Sequence, residues 1–169
     1  ISMFFSDLQG FTSISEKMSP ENLTALLNEY LTEMSNIILE SGGTIDKYVG
    51  DAIVAFWNAP LTQEDHGLRA LNAAMKCQKK LNEMQEKIFE KTGHNLFMRI
   101  GLNTGEVIVG NMGSQQRFDY TILGDAVNLT SRLEGLNKQF GTYTLCTKSL
   151  LENAVDHNFY MREMAKVAV

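Results

Sequence analysis

The sequence predicts an α+β domain of the ferredoxin-like type, a βαββαβ core with additions, and three features carry that expectation. Two β-rich alternating runs, Ile45–Val49 and Ala52–Trp57, meet at Gly50-Asp51, which has the form of a tight hairpin turn. Long helical patterns flank this hairpin, one from Ser19 to Gly42 and one over about residues 64–92. Extended runs stand before the first of these helices and after the second, completing strand, helix, hairpin, helix, strand. In that arrangement helices cover one face of an antiparallel sheet, and the end of the first strand lies beside the hairpin turn.

At 169 residues the chain fits one domain, able to bury roughly two-thirds of its unfolded surface. A hydrophobic content of 44% and a charged content of 21% are those of a soluble globular protein. Its apolar runs fall far short of the roughly 20 residues that cross a bilayer, so no membrane contact by this domain is expected. A net charge of −5 argues against a nucleic-acid-coating surface. It also means that a polyphosphate substrate would draw much of its neutralising charge from metal ions. Cys77 and Cys146 lack metal-ligand spacing and read as reduced core thiols, which suits a cytoplasmic setting. His66, His94 and His157 are mutually distant, and none is assigned to catalysis. The chain opens mid-strand without an initiator Met and stops in an apolar run. Residues 1–169 are therefore expected to be a single domain taken from a longer multidomain protein.

Taken in order, residues Ile1–Ser6 form an apolar strand with Asp7 at its C-terminal end. Leu8-Gln9-Gly10-Phe11-Thr12 then turns into a short helix. A strand-end carboxylate followed by free helix-start amides suits a metal-phosphate site, the carboxylate holding a cation and the N–H groups facing an anion. The same Asp read as a helix cap is the alternative. Ser19-Pro20-Glu21 starts the first long helix, with Ser as N-cap and Pro at N1. Leu23, Leu26, Leu27, Tyr30, Leu31, Met34, Ile37 and Ile38 repeat along it as a core stripe, and Gly42-Gly43 ends it. The hairpin follows, carrying Lys47 on its incoming strand and Asp51 at its turn, where an Asp often serves only as a turn former. The second long helix, Glu64–Thr92, has an apolar face against a solvated Lys/Glu/Gln face.

Leu96–Asn103 and Glu106–Val109 read as a strand pair around Thr104-Gly105, followed by a polar loop, Gly110–Arg117, and a short extended run, Phe118–Leu123. A helix from about Asp125 to Phe140, a strand Tyr143–Cys146, a helix Lys148–Ala154 and a final strand from Phe159 complete the chain. The fold brings Asp7 and Asp51 together across 44 residues of sequence. Two carboxylates meeting alone repel each other, and a pair of divalent cations removes that repulsion.

Four blocks, FFSDLQGFT at 4–12, DKYVGDAIVAFW at 46–57, GLNTGEVIVGNMG at 101–113 and YTILGDAVNLTSRLE at 120–134, resemble the catalytic domain of class III nucleotidyl cyclases. They stand in family order over nearly the whole chain. The resemblance implies a cyclase fold related to polymerase palm domains, working as a head-to-tail homodimer with active sites shared across the interface. It implies that Asp7 and Asp51, with the Leu8 carbonyl, bind two Mg²⁺ or Mn²⁺ ions. It places Lys47 and Thr121 where the family selects the base, and Asn128 and Arg132 where it orients the ribose and stabilises the transition state. Gly10, Phe11 and Thr12 fall at the phosphate-binding turn. Asn128 and Arg132 stand at i and i+4 of a predicted helix, so they share a face; a surface ion pair between Arg132 and Glu134 is the alternative.

The reaction so implied is attack of a ribose 3′-hydroxyl on its own α-phosphorus, with pyrophosphate leaving. Lysine only donates hydrogen bonds, whereas adenine offers an acceptor at N1 and a donor at its amino group, so Lys47 and a Thr121 oxygen satisfy both. Guanylate cyclases carry Glu and Cys there, so ATP is the expected substrate and GTP the alternative. A non-catalytic, nucleotide-binding regulatory domain is the other. The threonine resembles the subclass that includes bicarbonate-responsive adenylate cyclases. Family members continue past a REL-x-x-V-x-V-like run to a triphosphate lysine, which here would lie beyond Val169; Lys166 is a poor substitute. An upstream sensor or regulatory domain is expected in the parent chain.

Overall fold

A computed structural model describes residues 1–167. In chain order its elements are β1 (Ser2–Leu8), α1 (Phe11–Ser15), α2 (Pro20–Glu40), β2 (Thr44–Val49), β3 (Ala52–Trp57), α3 (His66–Thr92), β4 (Met98–Thr104), β5 (Ile108–Gly113), β6 (Phe118–Leu123), α4 (Asp125–Phe140), β7 (Thr144–Cys146) and α5 (Lys148–Glu152). The main sheet runs β2-β3-β1-β4-β7. Its first four strands are antiparallel throughout, in the βαββαβ order, and β7 joins the far edge parallel to β4.

Alternation along β1 divides its side chains between two faces. Phe4 and Leu8 join Tyr30 and Met34 of α2, Leu71 and Cys77 of α3, and Trp57 of β3 in the main core. Met3 points the other way and packs with Phe56 and Ile122. Ser19 caps α2 as expected, its hydroxyl accepting from the Asn22 N–H at 3.3 Å. Both cysteines are free thiols, and burial pushes the Cys77 thiol up to about 12, which makes it inert. Among the described residues no helix is long and apolar enough to cross a membrane.

Three expectations are corrected. The helices do not all cover one face: α2 and α3 pack on the main core, while α4 lies against β4 on the opposite side. Gly101 is what admits it, since a Cβ there would stand 2.6 Å from the Thr130 carbonyl oxygen. Asn137 Nδ2 donates to the Ile100 carbonyl at 2.9 Å, and Asn103 Nδ2 to that of Ala126 at 3.0 Å, tying helix to strand. Second, β4 and β5 do not pair. Both edges of β4 are occupied, by β1 and β7, so β5 turns away and forms a separate two-stranded sheet with β6. The predicted loop Gly110–Arg117 shrinks accordingly to a turn after Gly113. Third, residues 159–167 form no strand, because nothing described pairs with them; the end of that predicted strand lies outside the described residues.

The β2–β3 register contains one irregularity. Ile45 opposes Ala55 and Lys47 opposes Val54, leaving Asp46 as the extra residue of a bulge.

Candidate active site

Because β1 and β3 run antiparallel, with Ser6 opposite Ile53, the end of β1 arrives beside the β2–β3 turn. Asp51 uses this proximity. Its Oδ2 accepts the Leu8 N–H at 2.9 Å, a reach across 43 residues that a mere turn former would not make. Burial pushes the Asp51 carboxyl above the usual carboxylate range; the Leu8 N–H opposes the shift, and the neighbouring charge of Asp7 adds to it. Asp7 itself faces its cross-strand partner Arg99, with Nη2 3.2 Å from Oδ2. Arg99 Nε lies 3.2 Å from Glu134 Oε1 on α4, whose carboxyl is also raised by burial, with Arg99 pulling it down.

Beyond β1, Gly10 takes the left-handed conformation (φ 70°) that starts α1. No side chain caps this helix, so Asp7 is not a helix cap. Phe11 anchors the turn in the core, and Thr12 is exposed.

A second group forms where β2 meets β6. Lys47 Nζ donates to Thr121 Oγ1 at 3.2 Å, joining two residues 74 apart in sequence. The Thr121 hydroxyl donates in turn to Asp46 Oδ2 at 2.7 Å. The third group lies on α4, where Asn128 and Arg132 are exposed one turn apart while Thr130, Leu133 and Asn137 face inward. Glu134 is engaged by Arg99, and Arg132 makes no ion pair among the described residues. No hydrogen bond or ion pair among the described residues links Asp7 or Asp51 to Lys47, Thr121, Asn128 or Arg132. One chain thus holds three sets of polar groups with no direct hydrogen bond or ion pair between them among the described residues. Lys166 lines a groove with Leu136, Phe140 and Leu151.

Two residues escaped the sequence reading. Arg99 carried a signal: a lone cation inside an apolar strand needs a carboxylate opposite it. Asp46 carried none, since strict alternation would send it to the face opposite Lys47 and only the bulge changes that.

The family model of the adenylate and guanylate cyclase catalytic domain matches residues 1–168. The chain belongs to this family. The adenylate cyclase of Anabaena cylindrica is 40% identical to this cyclase domain over 90% of the domain and 30% of its own length. The crystal structure of the adenylyl cyclase CyaB from P. aeruginosa superimposes with a TM-score of 0.84 at 38% identity, over 92% of this chain and 80% of that one. That of the guanylyl cyclase Cya2 superimposes with a TM-score of 0.81 at 40% identity, over 90% and 77% respectively. The cyclase domain spans 24% of the length of adenylate cyclase 1 of Rhizobium meliloti, and under a third of the Anabaena enzyme. Catalytic domains of this family are generally metal-dependent, nucleotide-binding and dimeric, and typically sit within larger multidomain proteins.

Proposed function

We propose that this domain is an adenylate cyclase, converting ATP to 3′,5′-cyclic AMP and pyrophosphate. The observation that carries the choice of base is the contact between Lys47 Nζ and Thr121 Oγ1 at 3.2 Å. A lysine donor fits adenine N1 and mismatches the guanine N1–H, and the hydroxyl oxygen beside it can accept from the adenine amino group. Overall similarity does not separate the two bases, since an adenylyl and a guanylyl cyclase superimpose about equally well, and the reading therefore rests on the local chemistry.

Asp7, Asp51 and the Leu8 carbonyl would hold two Mg²⁺ or Mn²⁺ ions. Supporting this is a half-buried carboxyl, Asp51, raised by burial and by a second carboxylate whose cationic partner, Arg99, is shared with Glu134. When bound, such ions lower the pKa of the 3′-hydroxyl and screen charge on the phosphates. The chain's own residues do the rest. Lys47 and Thr121 hold the base, and Asn128 orients the ribose. Arg132 offers planar donors to the α-phosphate oxygens as charge moves towards the leaving group. The backbone at Gly10, Phe11 and Thr12 faces the phosphates.

The active unit in this reading is a homodimer with two equivalent sites, each taking its carboxylates from one chain and Lys47, Thr121, Asn128 and Arg132 from the other. The lack of any hydrogen bond or ion pair between these two groups within one chain, among the described residues, supports it. The domain is read as residues 1–169 of a longer, sensor-bearing cytoplasmic protein or one anchored elsewhere in its chain. A product assay with ATP and GTP, each with Mg²⁺ and Mn²⁺, tests the function. Cyclic AMP from ATP with little cyclic GMP is expected, and equal use of GTP would overturn the assignment.

A further inference from the structure

We propose that Asp46 is a positioning residue for base selection: it fixes the Thr121 hydroxyl as a hydrogen-bond acceptor towards the base and stations Lys47 beside it. This rests on the reading that Lys47 and Thr121 receive the base.

Asp46 owes its position to the bulge in β2. On a regular strand it and Lys47 would point to opposite faces. With Asp46 as the extra residue, both reach Thr121 on β6. The Asp46 side chain is only 2% exposed. Oδ2 receives the Thr121 hydroxyl hydrogen at 2.7 Å, while Oδ1 has no hydrogen bond and lies 3.4 Å from Lys47 Nζ. A buried carboxylate is costly unless its neighbours compensate it, and these two are its compensation.

The consequence follows from the capacity of a hydroxyl. Threonine has one hydrogen to give and two lone pairs to receive with. A carboxylate accepts and does not donate, so the short Thr121–Asp46 bond commits the only hydrogen. One lone pair faces the Lys47 ammonium at 3.2 Å, and one remains. Thr121 therefore meets the base only as an acceptor. The adenine amino group supplies the hydrogen that this lone pair needs. Guanine places a carbonyl oxygen at the same point, and Thr121 has no hydrogen left for it. Without Asp46 the hydroxyl rotates freely and serves either base, so a threonine alone selects poorly. A neutral amide at position 46 can also donate to Thr121 and release its hydrogen towards the base.

The competing explanation is that Asp46 merely clamps the bulge of β2 to β6, which would affect folding but not the choice between bases. Rates separate the two. We would measure kcat/KM for ATP, GTP and purine riboside triphosphate, which lacks the 6-amino group, on the wild type, Asp46→Asn, Asp46→Ser, Thr121→Val and the double variant Asp46→Asn/Thr121→Val. Thermal melts identify the folded proteins. Both position-46 variants are expected to lower the ATP:GTP ratio about tenfold, the scale of one hydrogen bond. They should also narrow the preference for ATP over purine riboside triphosphate. In the Thr121→Val background, Asp46→Asn should change neither ratio further, because the residue acts through Thr121. If Thr121→Val lowers selectivity but a folded position-46 variant does not, the inference is overturned and the base-selection reading stands. An equal loss in both backgrounds also overturns it. A wild type that uses purine riboside triphosphate as well as ATP overturns the inference together with the reading beneath it.

Discussion

Replacing Asp51 by Ala and by Asn separates two things its carboxylate does. In the wild type Oδ2 accepts the Leu8 N–H at 2.9 Å, in a half-buried setting. Asp51→Ala deletes the acceptor and leaves that amide unpaired, at a cost of about 1–3 kcal/mol. In a domain of this size each kcal/mol moves the melting temperature by about 2–4 °C. Asp51→Asn retains an oxygen for the Leu8 N–H but removes the charge. It therefore relieves the burial penalty and the repulsion from Asp7 that raise the Asp51 carboxyl. Without metal, the Asn variant is expected to melt at or above the wild type and the Ala variant several degrees below. Mg²⁺ or Mn²⁺ at about 100 times its Kd would stabilise the wild type by about 2.7 kcal/mol. Neither variant should show this gain, and neither should turn over ATP. Thermal unfolding with EDTA and then with a metal titration reads both effects. An Asn variant that gains as much from metal as the wild type would refute the metal assignment. One that melts well below the wild type in EDTA would refute the repulsion argument.

The dimer reading is tested by mixing two inactive variants, Asp51→Ala and Arg132→Ala. Each mixed dimer should hold one doubly damaged site and one intact site, so random mixing should restore about a quarter of wild-type activity. No recovery from demonstrated mixed dimers would mean that sites are not shared. Lys47→Glu with Thr121→Cys reverses donor and acceptor and is expected to weaken ATP use and admit GTP, recovering only part of the ~10⁴-fold discrimination that hydrogen-bonding sites reach; full retention of ATP preference would place selection elsewhere. Gly101→Ala should cost about 1–3 kcal/mol in chemical denaturation by forcing α4 off β4, and should lower activity because α4 carries Asn128 and Arg132. An unchanged midpoint would show that α4 yields freely. Finally, burial holds the His66 imidazole below its ordinary 6.5, with Nδ1 2.8 Å from Ser2 Oγ. Its contribution to stability is full above pH 6.5 and is lost as pH falls through that value towards the lower folded one, at no more than about 1.4 kcal/mol per pH unit. His66→Gln should flatten that part of the stability curve, and an unaltered curve would show that other groups set it.

What the sequence by itself determined is what short-range pattern can report. The 3.6-residue stripe of Leu26, Tyr30, Met34 and Ile38, with Ser19 as cap, specifies α2, and the two alternating runs around Gly50-Asp51 specify the hairpin. Asp7 and Asp51 were legible as neighbours because the βαββαβ order alone puts the end of β1 beside that turn. Two of the four motif blocks carry Lys47, Thr121, Asn128 and Arg132, whose roles in the site are proposals that rest on the family resemblance. Tertiary structure decided the rest, because periodicity tells that a segment is half-buried but not which edge or face receives it. β5 looked like the partner of β4 until β1 and β7 took both edges of β4. α4 crossed to the far face because Gly101 lets a helix backbone approach where any side chain would collide. Asp46 reached Thr121 through one extra residue in β2, and a bulge exists only in the pairing of two strands. A single-residue shift reverses which face a side chain occupies, so no reading of β2 alone could have found it.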